Sequence, residues 1–322
     1  MSIIIPVKEV NDYLRQETIP ALLKQSYQNF EIIILPDKKT KEKLQRAKII
    51  ATWPQTGPAD KRDLGAKKAR GEILAFIDDD SYPSKNWLRE AVKIFQEGKE
   101  IVAVCGPMIT PPQDNFRQKV AGYVWSLAFG SEGAGTYRYA IRPQRQVDDF
   151  PTANLLIKRK YFFQAGGFNT HFWSGEDTKL CLYLTQKLKK RIIYDPKVLV
   201  YHHRREVFGP HLEQISRYAL HRGHFARILP QTSLRLGYLA PSLFALGVLV
   251  APILAMFFSC LRPFYLTAVG VYVLGLVWTS LVVYWREKDL NMTLMVGPAI
   301  FLTHFVYGII FIVGFFAPYL SQ

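Results

Sequence analysis

The apolar run Ile73 to Ile77 ends abruptly in three consecutive carboxylates, Asp78, Asp79 and Asp80. Three adjacent negative charges repel one another, and a strand end tolerates them when water or a bound cation compensates. Oxygen ligands at the carboxyl end of a strand suit a hard divalent ion that keeps coordination sites for a substrate's phosphates. A solvated acidic turn is the alternative. Two other groups carry comparable chemistry. Glu176 and Asp177 open a helical segment after Gly175, where a carboxylate can accept the proton of an attacking hydroxyl or simply favour the positive end of the helix dipole. His202 and His203 follow Val200-Tyr201. A neutral imidazole can complete a metal shell or bond a diphosphate, and adjacent strand residues point to opposite faces, so one of the two reaches such a site.

The elements that must position these groups are legible. Ile3-Ile4-Ile5-Pro6-Val7 and Glu31 to Leu35 are continuously apolar, the pattern of strands buried on both faces. Asn11 or Asp12 can cap a helix between them. Asp37 closes the second strand, a short strand is expected over Lys48–Ala51, and Lys61 to Arg70 is helical by composition, ending at Gly71. This β-α-β-α-β order implies right-handed crossovers and a parallel sheet, in which ligands sit outside the carboxyl ends of the strands. Asp37 and Asp78 to Asp80 fall there. Ser84 is expected to cap a helix with Trp87, Leu88, Val92 and Phe95, followed by a strand at Ile101 to Cys105. Pro111 to Pro151 breaks the rhythm as a long irregular insertion. A helix is expected over Glu176–Leu188, and strands over Arg191–Tyr194 and Val198–Tyr201. Asp148-Asp149 could hold acceptor hydroxyls or be solvated loop charge. Arg204-Arg205 could hold phosphate or be a basic juxtamembrane pair.

Composition divides the chain near residue 235. Leu236–Leu261, Phe264–Trp285 and Leu294–Leu320 are nearly uncharged, and each reaches the about 20 residues a helix needs to cross a bilayer. His211 to Leu229, with Arg217, Arg222 and Arg227 among apolar positions at helical spacing, reads as an amphipathic helix on the membrane surface. The basic residues before the first span put the N-terminal domain in the cytoplasm and the C-terminus outside. Met1-Ser2 leads straight into a strand, so no cleavable signal is expected. Three widely spaced cysteines suggest neither a disulfide framework nor a thiolate metal site. The net charge of +15 is dispersed without a nucleic-acid module, and fits a domain beside anionic lipid that handles an anionic substrate.

The order of elements and motifs resembles the GT-A fold of family 2 glycosyltransferases over the soluble part: an α/β, Rossmann-like nucleotide-binding sheet with helices on both faces, followed by an all-helical transmembrane segment. The resemblance implies that Pro6 and Val7 lead into the nucleotide pocket and that Asp37 contacts base or ribose. Lys61-Arg62-Asp63-Leu64-Gly65 is similar to the family's basic-Arg-Asn-x-Gly segment beside the donor, with Asp63 in place of Asn and its role open. Asp78-Asp79-Asp80 corresponds to the DxD element, with Asp80 a direct ligand of Mg2+ or Mn2+, Asp78 near the ribose or the metal shell, and Asp79 on the donor side. Asn154 to Ile157, Gly166-Gly167-Phe168 and Gly175-Glu176-Asp177 resemble the acceptor side, with Asp177 as base and Glu176 second. Val200-Tyr201-His202 resembles the terminal Val-x-His, which makes His202 the third metal ligand.

The expectation is therefore a catalytic domain over 1–210, a juxtamembrane helix over 211–235 and three transmembrane helices over 236–322. The expected activity is metal-dependent, inverting transfer of one sugar from a nucleotide-diphosphate donor to a lipid-linked or surface-polysaccharide acceptor at the membrane lipid, with no nucleic acid involved. No Gln-x-x-Arg-Trp segment of processive synthases follows Asp177. The rival readings are a sugar or lipid nucleotidyltransferase and a non-catalytic membrane scaffold.

Overall fold

A computed structural model of the chain describes residues 1–53, 56–131, 135–169 and 175–318. Their contacts form two units: Met1–Pro111 with Ala140–His203, and Pro112–Tyr139 with the chain from Arg204 onward.

The first unit is built on strands β1 (Ser2–Pro6), β2 (Glu31–Leu35), β3 (Ala47–Ile49) and β4 (Ile73–Ile77), followed by β5 (Ser81–Pro83), β6 (Ile101–Cys105), β7 (Met108–Ile109), β8 (Arg145–Val147), β9 (Asn154–Lys158), β10 (Arg191–Tyr194) and β11 (Val200–His202). Eight of them form one sheet in the order β3-β2-β1-β4-β9-β6-β10-β8, and β5-β11-β7 form a second, small sheet. The β3-β2-β1-β4 half is parallel, as the alternation of elements implies. Beyond β4 the sheet is mixed, because β9 runs antiparallel between β4 and β6. Ile3, Ile4, Ile5, Ile32 to Leu35 and Leu74 to Ile77 are all buried, which is what an unbroken apolar run requires when both faces are covered. The core continues through Leu14, Leu22, Trp87, Leu88 and Ile94.

The helix Pro58–Lys68 lies close on this sheet. A Cβ at Gly65 would stand 2.6 Å from Ile4 Cγ2, so only glycine permits the approach. That approach brings Lys61, Arg62 and Asp63 to the carboxyl ends of the strands. Asn11 caps its helix, accepting from the Leu14 amide at 2.8 Å. Ser84 does not cap through its hydroxyl: Asn86 is the cap residue of Trp87–Gln96, and Ser84 supplies its carbonyl to the Trp87 amide.

In the second unit, part of the expected irregular insertion is regular. Phe116–Ser126 is a helix closed by a reciprocal Asn115–Gln118 capping box, an N-terminal signature of two orphan donors satisfied together. Leu236–Phe257, Arg262–Glu287 and Leu290–Phe316 are helices long and apolar enough to cross a membrane, and the end of the third expected span, 319–320, lies outside the described residues. Gly209–Ile228 is helical, and part of its surface has a protein partner, the third long helix. His211 Nε2 meets Thr303 Oγ1 at 3.0 Å, Ala219 and Ala226 pack on Phe311, and a Cβ at Gly223 would collide with the Phe311 carbonyl.

Candidate active site

Lys61, Arg62 and Asp63 each reach a different part of the site. The Lys61 ammonium donates to the Val7 carbonyl at 2.7 Å and pairs with Asp37 just past β2. Both residues of that pair are buried, as are Pro6 and Val7, so the ends of β1 and β2 are held by one desolvated ion pair. Arg62 is buried and forked. One terminal nitrogen donates to Asp78 Oδ1 and the other to Glu176 Oε1, each at 2.7 Å. Two charge-assisted bonds from one rigid guanidinium fix the acidic turn after β4 against the start of the helix Glu176–Leu182. Asp63 accepts from the amides of Phe168 and Asn169 at 2.9 and 3.0 Å.

The acidic turn sits between β4 and β5. Asp78, Asp80 and His202 each offer a ligand atom, all within 4.8 Å of one another, and His202 Nε2 lies 3.1 Å from Asp80 Oδ1. Strand β11 accounts for this, since its antiparallel pairing sets His202 opposite Ser81, next to Asp80. The donor set of two carboxylates and an imidazole suits a divalent ion such as Mg2+ or Mn2+, and all three groups are only partly exposed. His203 points elsewhere. Its Nε2 meets Glu17 Oε2 at 3.2 Å and its ring stacks on Tyr13 at 4.2 Å.

Asp79 turns away from the cluster to accept from the Asn11 side chain. Burial, then the charges of Asp80 and Asp78, push its carboxyl up to about 7. Asn11 was legible only as a helix cap; its second bond, 68 residues along the chain, was not. Burial likewise pushes the Glu176 carboxyl up, against the pull of Arg62. Asp177 is half-buried, and its carboxylate accepts from the Thr178 amide at 2.7 Å. Glu176 is thus engaged by Arg62, whereas Asp177 stands beside it on the first turn of the same helix. Asp149 is buried and accepts from the Thr178 hydroxyl at 3.1 Å, which ties its loop to that helix. Arg204 belongs to the other unit, where its guanidinium lies 4.8 Å over the Tyr139 ring.

The sequence model of the family described as Glycosyl transferase family 2 matches residues 2–164 of 322, half of the chain. The chain belongs to this glycosyltransferase family. Among curated relatives, the glucosyl-dolichyl phosphate glucuronosyltransferase of Haloferax volcanii is 23% identical over 206 residues, covering 58% of this chain and 63% of that protein. Among solved structures, the mannosyltransferase PcManGT of Pyrobaculum calidifontis, in complex with GDP-Man and Mn2+, superposes with a TM-score of 0.54 at 16% identity over 94% of this chain and 85% of that one. GalNAc-T7, solved with UDP, GalNAc and Mn2+, superposes with a TM-score of 0.50 at 16% identity over 73% of this chain and 51% of that one. The chain therefore spans less than two thirds of the Haloferax protein's length and about half of GalNAc-T7. These superpositions establish the GT-A-like fold, the family match establishes membership of glycosyl transferase family 2, and the three apolar C-terminal helices fit a membrane anchor.

Proposed function

We propose that this family 2 transferase moves one sugar from a nucleotide-diphosphate donor to a lipid-linked acceptor at the membrane, with inversion at the anomeric carbon and with a divalent metal. The observation that carries the reading is the convergence of Asp78, Asp80 and His202 within 4.8 Å, linked through Arg62 to Glu176 beside Asp177. A lipid-linked acceptor is favoured over a free polysaccharide by the dolichyl phosphate in the name of the Haloferax relative and by three apolar helices on the same chain. The catalytic unit is assigned to the cytoplasmic side and the C-terminus to the outside, on the basic residues preceding the first span.

In this reading the donor's base and ribose lie near Pro6, Val7 and Asp37, with Asp79 behind the acidic turn. The acceptor hydroxyl oxygen attacks the anomeric carbon as its bond to the diphosphate oxygen breaks. The hydroxyl proton passes to Asp177, and the nucleoside diphosphate departs with the bonding pair. A divalent ion held by Asp78, Asp80 and His202 would neutralise the charge gathering on that leaving group. Arg62 has both terminal nitrogens engaged by carboxylates, so it holds donor-side and acceptor-side groups in register.

The test is turnover of a nucleotide-sugar panel by the full chain with Mn2+, reading the released nucleotide and the anomeric configuration of the product by NMR. Nucleoside diphosphate release with inversion is expected. Pyrophosphate release would move the protein to the nucleotidyltransferases, and no turnover of any donor would leave a scaffold. Asp80→Asn should lose activity and lose only the metal-dependent part of donor affinity. Asp177→Asn should bind donor normally yet turn over about a hundredfold to ten-thousandfold more slowly, the usual reach of a positioned base. If Glu176→Gln is the inactive variant and Asp177→Asn the active one, the base is Glu176.

A further inference from the structure

We infer that Asp63 is a positioning residue: its carboxylate holds the turn Gly166–Asn169 so that the helix carrying Glu176 and Asp177 keeps its register on Arg62. The two oxygens of Asp63 serve two consecutive amides, Oδ1 that of Phe168 and Oδ2 that of Asn169. An asparagine, the residue this chain's own segment would carry if it followed the pattern it otherwise resembles, would set its NH2 where one of these oxygens stands, facing an N–H, so in this geometry only one of the two amides would keep its acceptor. The departure to Asp therefore has a physical reason in this chain.

The backbone is shaped around that carboxylate. Gly166 and Gly167 have φ of +85° and +73°, and Asn169 has φ of +36°, conformations glycine adopts freely and asparagine tolerates. A Cβ at Gly167 would stand 2.7 Å from Asp63 Oδ1, so the carboxylate takes the space that a side chain would need. The turn is also held from its apolar side. Phe168 is buried against Phe76 and Phe162, with ring centroids 5.3 and 5.2 Å away, and Phe76 lies on β4 two residues before Asp78.

From the turn, the connection runs on to the acceptor-side helix. Lys179, on the same helix as Glu176, donates to the Asn169 carbonyl at 2.9 Å, and Glu176 returns to Arg62 at 2.7 Å. Arg62 and Asp63 are neighbours, so the contacts close into a ring: Asp63 to the turn, the turn to Lys179, and the Glu176–Leu182 helix back to Arg62. The first turn of that helix, Glu176 to Lys179, is thus tied at one end to Arg62 and at the other to the turn that Asp63 holds. Reaction rates fall steeply when a catalytic group is displaced by even an ångström, so this ring should be felt in turnover.

The inference rests on the transferase reading for its kinetic consequence but not for its structural one, and two measurements separate them. Hydrogen exchange on the detergent-solubilised full chain is compared for wild type, Asp63→Asn, Asp63→Ala and Lys179→Met. Asp63→Asn should speed exchange at one of the two amides about fivefold, the worth of one modest hydrogen bond, Asp63→Ala should speed both, and all three variants should loosen the amides of Glu176–Leu182. Nucleoside diphosphate release from the nucleotide-sugar panel with Mn2+ should show kcat lowered about tenfold or more with the donor KM within about twofold, as expected when only the transition-state arrangement is disturbed. Unchanged protection of 168–169 and of Glu176–Leu182 in Asp63→Asn and Asp63→Ala would overturn the inference, as would loosening confined to the turn. A donor KM that rises in step with the fall in kcat would also overturn it. A wild-type chain that turns over no donor would overturn the transferase reading instead, and exchange alone would then decide the role of Asp63.

Discussion

Replacing Arg62 by Met keeps an unbranched side chain but removes the guanidinium, leaving the Asp78 and Glu176 carboxylates without their shared cation. Glu176 has only 9% of its side chain exposed and Asp78 28%, so water can replace the guanidinium for Asp78 in part and for Glu176 hardly at all. Breaking a buried pair in this way costs about 3–5 kcal/mol, and at about 2–4 °C of unfolding midpoint per kcal/mol for a unit of this size the expected loss is roughly 6–20 °C. The loss must depend on pH. Glu176 already has its folded-state pKa raised by burial, so its contribution is present below its unfolded value and is lost as pH rises through the folded one. Without Arg62 that folded value moves further up, and the penalty for ionising Glu176 appears in full only at higher pH. The difference between wild type and Arg62→Met should therefore be smallest at the acid end of the range in which the chain stays folded and grow as pH rises. Thermal scans of the detergent-solubilised full chain across that range measure it, with Arg62→Lys as the control that keeps the charge but not the fork. A shift below about 2 °C at the upper pH, or one that does not change with pH, would refute the argument that Arg62 is held by charge between the buried Glu176 and the half-buried Asp78.

Asp79, pushed up to about 7 by burial and by its neighbours, should stabilise the metal-free chain at low pH and lose that contribution as pH rises through about 7; added Mn2+ should offset the loss and be taken up with proton release, both readable by calorimetry in two buffers of different ionisation enthalpy. His202→Phe should weaken Mn2+ binding without affecting the His203–Glu17 contact, so equal Mn2+ affinity in variant and wild type would remove His202 from the metal shell. Gly223→Leu should drive the helix Gly209–Ile228 away from Phe311 and lower the thermal stability of the helical unit, while a neutral result would mean the two helices do not meet there in solution.

The strands β2, β1 and β4 were legible because a parallel strand buried on both faces must be apolar throughout, the pattern of Ile3-Ile4-Ile5, Ile32 to Leu35 and Ile73 to Ile77. The three long helices were legible for a related reason, as length and uniform apolarity are local properties. The strand that delivers His202, the acidic turn and the Glu-Asp pair at a helix start could likewise be read from local pattern. What could not be read is pairing. The insertion of β9 antiparallel between β4 and β6 depends on which edges meet, and β-pairing leaves no signal in either strand alone.

The same limit governs the site. The sequence by itself determined which residue types stand at the ends of strands and helices: Asp37, Asp78 to Asp80, Glu176, Asp177 and His202. Only the tertiary structure decided what each side chain meets. Arg62 is ordinary beside Lys61 in the chain, but lies between Asp78 and Glu176, 16 and 114 residues away. Asn11 joins Asp79 across 68 residues, and Asp63 meets the turn at Phe168 across 105. Charge, hydrogen bonding and burial act over a few ångströms of space regardless of separation along the chain, so roles set by local pattern are visible in the text, and roles set by partners appear only once the chain has folded.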